Sequence, residues 1–403
     1  MLVNQTYFID SCDDVELNIK RKNKLEYRIT YDDSKEMKAI VFMIGAYGSN
    51  VSILEFDRQY IAQKYNVIVV NVIYWCFGVR PDSQEGGGRY SAELMILEED
   101  LESLRKVASE LKIETDGLSV ESAGYFVNVL NQHIQELKNK SKVDDDFQVS
   151  ITSTLIPPHG EYQNYGIMAA IDHINVLKDI IQKYPQFQSL PKIYGGCSYG
   201  GYLSLLISKI APWHVSAILD NSGEALLLLK YIIGRNLNEV EFNIRQKNIS
   251  VGCFLKTYWN VDPNSSYCFK NENYMIRALL NPTHLNIQAQ KNNIINYISY
   301  HSSTDLMSPV KDKIQLMQIY QMLGYDVNFH LIKDEDIDGR FIKHSNHGGG
   351  ISIKALFKKE LPKILEKYQG KIFDFKQDEI CYPCGNSMFV FKDNYDKFEL
   401  KII

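Results

Sequence analysis

Residues 39–45 (AIVFMIG) and 66–74 (NVIVVNVIY) are nearly continuous apolar runs. A strand with one wet face alternates polar and apolar side chains. A run without that alternation belongs to a strand covered on both faces. Between the two runs lies 52–65 (SILEFDRQYIAQKY), whose apolar residues recur at helical spacing. The pairing returns further on. Residues 192–197 (KIYGGC) lead into a helical pattern, and 214–222 (HVSAILDNS) and 293–302 (NIINYISYHS) read as buried strands. A helix at 311–324, a strand at 326–333 and a final helix at 350–368 complete the series. Buried strands alternating with crossover helices predict an α/β fold, a mostly parallel central sheet with helices on both faces.

At the start of the chain, 15–21 (VELNIKR) and 24–31 (KLEYRITY) alternate polar and apolar residues and are predicted as half-exposed strands. Two segments interrupt the core. The first, 76–160, carries Leu94, Leu97, Leu101, Leu104, Ala108 and Leu111 three and four apart, which predicts a helix over 92–111. With a second helix near 122–138 and a polar linker at 138–148, it reads as a helical, cap-like insertion. The second, 223–290, is aromatic without clear strand runs and reads as a cap or lid. The core is then 1–75, 161–222 and 291–368, with 369–403 as a C-terminal β-hairpin. A helix at 166–185, ended by Pro185, brings the chain back from the first insertion.

The net charge is −5 and no basic block stands out, which argues against a nucleic-acid or anionic-membrane partner. The N-terminal residues lack a basic and then apolar leader, and the apolar stretch at 224–235 is too short to span a bilayer and holds a lysine. A soluble, cytoplasmic protein is expected. Seven scattered cysteines make no disulfide framework. Cys381-Tyr-Pro-Cys384 is a lone C-x-x-C with only the distant His344 and His347 as further ligand types, so a turn of the C-terminal hairpin is expected and no metal or cofactor.

Gly196-Cys197-Ser198-Tyr199-Gly200 fits G-x-S-x-G, placed between a strand and a helix. In that turn small residues two before and two after the serine let strand and helix approach, and the helix start aims N–H groups at a developing oxyanion. A serine nucleophile needs a base, and the base an orienting acid. Asp305 follows a buried strand by a short loop and is the acid candidate; a turn or helix-cap role is its bland alternative. Two histidines compete as base in FIKHSNHGGGIS. His347, followed by glycine at the approach to the last helix, is preferred over His344. Of the other histidines, His301 stands close enough to Asp305 to line a pocket. The N–H of Tyr199 is one oxyanion donor. Gly45-Ala46-Tyr47-Gly48 offers the second, Tyr47 ahead of Ala46.

With these elements in order, the chain resembles the α/β-hydrolase superfamily over roughly 39–75, 165–222 and 290–368. Its oxyanion loop departs from the family's HG-x-G pattern, with Ile44 where the histidine stands. The opening NQTYFIDSCDDVELNIKRKNKLEYRITYDD and the segment HSNHGGGIS resemble an uncharacterised family of bacterial hydrolase-like proteins. That family occurs near genes for flagellin glycosylation and motility accessory factors. The resemblance implies a serine hydrolase acting on an acyl ester or amide of a small molecule, an O- or N-acyl group on a bacterial sugar among the candidates, with Ser198, His347 and Asp305 as its triad. A non-catalytic accessory protein on the same scaffold is the competing expectation. A peptidase is third, since no propeller repeat accompanies the fold. Tyr90, Tyr125, Tyr162, Tyr165, Trp259, Tyr267 and Tyr274 are candidate pocket-wall residues or simply packed aromatics.

Overall fold

The computed structural model describes residues 1–49, 51–79 and 90–403. Its strands in chain order are β1 (Leu2–Ile9), β2 (Leu25–Asp32), β3 (Ile40–Ile44), β4 (Ile68–Ile73), β5 (Glu93–Met95), β6 (Val149–Ile156), β7 (Lys192–Cys197), β8 (Ala217–Asn221), β9 (Phe242–Arg245), β10 (Ile249–Leu255), β11 (Asn296–Ser302), β12 (Asp326–Ile332), β13 (Glu379–Cys384), β14 (Ser387–Asn394) and β15 (Lys397–Ile402). The helices are α1 (Val51–Tyr65), α2 (Glu98–Glu110), α3 (Ala123–Asn139), α4 (Ile167–Lys183), α5 (Tyr199–Ile210), α6 (Lys230–Leu237), α7 (Asn271–Arg277), α8 (Pro282–Lys291), α9 (Val310–Met322) and α10 (Ile353–Lys367). They divide into two compact units, 1–77 with 164–228 and 269–403, and 78–163 with 229–268.

The first unit is built on an eight-stranded sheet in the order β1-β2-β4-β3-β7-β8-β11-β12. β1 and β2 are antiparallel to their neighbours, and every pairing from β4 to β12 is parallel. This strand order is that of the α/β-hydrolase fold. The apolar runs account for it: every residue of β3, β8 and β11 is buried, as strands sandwiched between helices require. Because these strands run parallel, their carboxyl ends collect at one edge, and the loops leaving β7, β8, β11 and β12 meet there.

Three expectations need correction in this unit. The alternating segment 15–21 is no strand. Asp14 Oδ1 accepts the N–H groups of Glu16 and Leu17, each at 3.1 Å, and this local turn outcompetes pairing, while the edge strand forms at Leu2–Ile9 instead. The C-terminal segment is not a hairpin but a three-stranded antiparallel sheet, β13-β14-β15. Asp393 of β14 anchors it, its Oδ1 2.7 Å from Lys178 Nζ and its Oδ2 taking N–H bonds from Trp213 (2.6 Å) and His214 (2.9 Å). Lastly, Cys381 and Cys384 lie within β13 rather than in its turn. Three residues apart on a strand, their side chains leave opposite faces and do not converge on one ion.

The second unit carries a four-stranded sheet, β5-β6-β10-β9, alongside α2, α3 and α6. Both interrupting segments therefore contribute strands, against the helical and strand-free expectations for 76–160 and 223–290. The central pair, β6 and β10, is parallel and comes from the two different segments, each of which adds one short antiparallel edge strand of its own. The helix expected over 92–111 begins at Glu98, because Glu93–Met95 pairs with β6 as β5 and leaves Leu94 facing out. Residues 80–89 of the first insertion lie outside the described residues. Among the described residues, no helix is long and apolar enough to cross a membrane.

Candidate active site

β7 ends at Cys197, and α5 begins at Tyr199, with Ser198 between them at φ +54°, ψ −123°. A non-glycine residue rarely occupies this region, and the surrounding contacts hold it there. The flanking glycines explain how. A Cβ on Gly196 would stand 2.5 Å from Ile44 O and 2.6 Å from Gly200 C, and one on Gly200 would stand 2.4 Å from Ile44 O. Only hydrogen at both positions lets the turn close onto the end of β3. The geometry is that of a nucleophile elbow, with Ser198 Oγ carried clear of the sheet.

Ser198 Oγ is 2.8 Å from His347 Nε2, and His347 Nδ1 is 2.8 Å from Asp305 Oδ2. Three residues from three different loops thus form one hydrogen-bonded chain. Asp305 sits in the loop after β11, its side chain removed from solvent. Its Oδ1 accepts the N–H groups of Met307 and Ser308, each at 2.9 Å, which fixes the carboxylate plane. Burial pushes the carboxyl up, but the hydrogen bonds from His347 and from Ser308 N–H, with the attraction of the His347 imidazole, outweigh it, so Asp305 lies below the ordinary carboxylate value. With Oδ2 accepting at Nδ1–H, Nε2 is left as the atom facing Ser198.

His344, the rival base, is exposed and outside this chain of bonds. His301, expected to line a pocket, is withdrawn from solvent. Its Nε2 lies 2.8 Å from Ser308 O and 3.7 Å from Asp305 Oδ2. A carbonyl only accepts, so Nε2 carries the proton. Burial above all, with Lys313 nearby, pulls the His301 pKa down to about 4, and the ring supports the acid as a neutral group. Burial pushes the thiol of Cys197, beside the serine, up to about 12.

On the oxyanion side, Tyr199 N–H belongs to the first turn of α5, where backbone donors have no acceptor within the helix. Ala46 and Tyr47 lie on the loop after β3 that presses against Gly200. The Tyr47 ring meets the Tyr199 ring edge-on, centroids 5.8 Å apart. Tyr199 also packs against Tyr74, Tyr165 and Tyr202, so its ring is the hub of a tyrosine cluster beneath the turn as well as the bearer of an N–H. Of the other aromatic candidates, Tyr125 is exposed on α3, and Trp259 lines a cavity of about 210 Å³ inside the second unit, together with Arg235, Phe254 and Tyr258.

Several residues of the site carried no separate signal in the sequence. Asp220, at the end of β8, accepts Gly223 N–H at 2.9 Å through Oδ1, and Ser299 Oγ (2.6 Å) and Lys313 Nζ (2.7 Å) through Oδ2. Glu224 is 5% exposed; Tyr165 OH donates to its Oε1 at 3.3 Å, while Oε2 has no partner among the described residues. Burial pushes the Glu224 carboxyl up to about 7. The one available hint was the polar cluster DNSGE, closing an otherwise apolar strand at 220–224.

The profile of the family described as "Protein of unknown function (DUF2920)" matches residues 5–402. The chain belongs to that family. No curated protein sequence matches this DUF2920 member. Solved structures similar to it include an acylaminoacyl peptidase from Pyrococcus horikoshii, with 12% identity and a TM-score of 0.46 over 93% of this chain and 42% of that one. The DUF2920 chain thus spans well under half the peptidase's length. A ferulic acid esterase aligns at 10% identity and TM-score 0.44, over 91% of this chain and 97% of its own. A putative dienelactone hydrolase from Klebsiella pneumoniae subsp. pneumoniae MGH 78578 aligns at 8% identity and TM-score 0.39, over 92% and 99%.

Proposed function

We propose that this protein is a serine hydrolase that cleaves an acyl ester of a small molecule. The observation that carries this reading is the hydrogen-bonded order Ser198–His347–Asp305 on a left-handed serine between strand and helix. Ser198 Oγ attacks the acyl carbonyl carbon while His347 Nε2 takes the hydroxyl proton. Asp305 holds the ring in the tautomer that leaves Nε2 bare and offsets the imidazolium charge. The tetrahedral oxyanion is met by Tyr199 N–H and by a second N–H from the loop at Ala46–Tyr47, with Tyr47 assigned that role. Collapse breaks the bond to the leaving oxygen, which receives the proton from Nε2. Water, activated by the same nitrogen, then attacks the acyl-enzyme, releasing the acid and restoring Ser198.

The net charge of −5 supports a small-molecule substrate over a nucleic acid or a membrane surface. The resemblance to proteins encoded near flagellin-glycosylation genes supports a narrower substrate class, an O- or N-acyl group on a bacterial sugar handled in the cytoplasm. A fluorophosphonate probe tests the reading directly. Wild-type protein becomes labelled on Ser198 and hydrolyses p-nitrophenyl acetate, and Ser198→Ala does neither. Labelling that survives Ser198→Ala removes this nucleophile. Absence of both labelling and turnover in the wild type leaves a non-catalytic accessory protein in its place.

A further inference from the structure

His347 stands on no strand or α-helix; it opens a single 3-10 turn, His347–Gly350, that Gly348 and Gly349 distort. It lies between β12, which ends at Ile332, and α10, which begins at Ile353, and it is followed by Gly348, Gly349 and Gly350, all at positive φ (+75°, +60° and +68°). Three successive glycines impose the least backbone restraint of any sequence. The backbone bonds within the segment, Gly349 N–H to Asn346 O, Ile351 N–H to Gly348 O and Lys343 N–H to Gly349 O, shape the turn without attaching it to the sheet. Yet both imidazole nitrogens stand at 2.8 Å from partners on separate loops, a placement that fails with a shift of about 1 Å.

We infer that Asn221 and Ser222 on one side, and Ser302 and Thr304 on the other, are positioning residues that clamp this turn and set the His347 imidazole against Ser198 and Asp305. Gly348, next to the histidine, is gripped through both backbone groups. Its N–H donates to Ser222 Oγ at 3.1 Å, and its carbonyl accepts from Asn221 Nδ2 at 3.0 Å. Two residues before the histidine, Ser345 O accepts from Thr304 Oγ1 at 2.6 Å and from Ser302 Oγ. The two grips come from the strand ends that also bear on the histidine's partners. Asn221 O accepts Ser198 N–H at 2.7 Å, and Ser302 and Thr304 lead into Asp305. Cys197 joins the first grip, its thiol donating to Ile351 O at 3.7 Å and accepting from Asn221 Nδ2 at 3.6 Å. Each anchor thus couples the histidine turn to the residue it must reach.

The clamp rests on the triad reading for its effect on catalysis, and Ser222 gives a clean test. Ser222 sits at φ +57°, a conformation that favours glycine, so Ser222→Gly removes the hydroxyl while easing the backbone. Ser222→Gly is expected to slow p-nitrophenyl acetate turnover about tenfold to a hundredfold in kcat at unchanged KM, with no fall in the thermal midpoint. Thr304→Val lowers kcat in the same way, and Thr304→Ser restores it. Wild-type kcat in the Ser222→Gly, Thr304→Val double variant would overturn the inference. Proton spectra of histidine-labelled protein test it without activity. The His347 Nδ1–H signal, identified by its loss in His347→Ala, is sharp and protected in wild type and broadens or exchanges quickly in Ser222→Gly. An unchanged signal sinks the clamp even where the wild type proves inactive, whereas loss of labelling in the wild type alone sinks only the catalytic reading.

Discussion

Asp220 Oδ2 and Lys313 Nζ form a 2.7 Å ion pair with both side chains withdrawn from solvent, and Asp220 Oδ1 lies where a Cβ on Gly201 would come within 2.4 Å. The pair therefore ties β8 to α9, and the first turn of α5 packs closely against it behind Ser198. Lys313→Met leaves the Asp220 charge buried with Ser299 and Gly223 as its remaining donors. An uncompensated buried charge costs about 3–5 kcal/mol. Urea unfolding is expected to show a loss of that size. A midpoint within error of wild type would refute it.

Gly200 offers a second test of the elbow. Gly200→Ala puts a methyl group 2.4 Å from Ile44 O, a backbone atom that moves only if β3 moves. We expect loss of fluorophosphonate labelling together with destabilisation of about 1–3 kcal/mol. An Ala variant that labels and unfolds like wild type would mean that the turn is looser than these contacts imply.

Glu224 makes stability depend on pH. Its carboxyl is raised to about 7 by burial, so the folded protein holds a proton that the unfolded chain releases near the ordinary value of 4.5. The neutral form favours folding: this contribution is complete below about 4.5 and is lost as pH rises through about 7. Glu224→Gln cannot ionise. Its unfolding free energy should therefore fall less than that of wild type between pH 5 and pH 8, and equal slopes would rule the group out.

Asp305 has the opposite sign. Its folded value is depressed, so its contribution is present above the unfolded value of 3.8 and disappears as pH falls through the folded one. Asp305→Asn keeps the shape but donates where it should accept, favouring the tautomer with Nε2 protonated. We expect kcat on p-nitrophenyl acetate to fall about 10⁴-fold with KM little changed. A fall of less than tenfold would remove Asp305 as the orienting acid.

The C-terminal sheet hangs on Asp393, held at about 2 by the His214 and Lys178 bonds, which together outweigh the larger effect of its burial. Asp393→Ala strands the buried Lys178 ammonium, whose side chain is 2% exposed. A loss of about 3–5 kcal/mol is expected, with proteolytic release of the segment from residue 370 onward. Resistance to protease equal to wild type would show that the remaining ties, Tyr382 OH to Lys209 O and Phe398 N–H to Asn175 Oδ1 among them, hold it without Asp393.

Much of this architecture was legible because it is local. A run such as 39–45 or 66–74 announces a doubly covered strand within a few residues, and Ser198 and Asp305 each follow such a run by a short loop. His347 follows a longer one, so the sequence offered His344 beside it. The four-stranded sheet of the second unit escaped for the opposite reason: β6 finds its partner in β10, and each strand alone is a short stretch of mixed residues. The false strand at 15–21 shows the converse, where one aspartate's bonds to nearby N–H groups overrode an alternating pattern.

The sequence by itself determined the layer order of the sheet unit and the chain order of serine, acid and histidine, because periodicity and strand-end loops are written in consecutive residues. Only the tertiary structure brought His347 rather than His344 against Ser198 and Asp305, buried His301 against Ser308, and set Asn221, Ser222, Ser302 and Thr304 against the histidine turn. Those outcomes depend on hydrogen bonds of about 3 Å between residues far apart in the chain. Such bonds leave no period in the sequence. They exist only once the strand ends have been brought together.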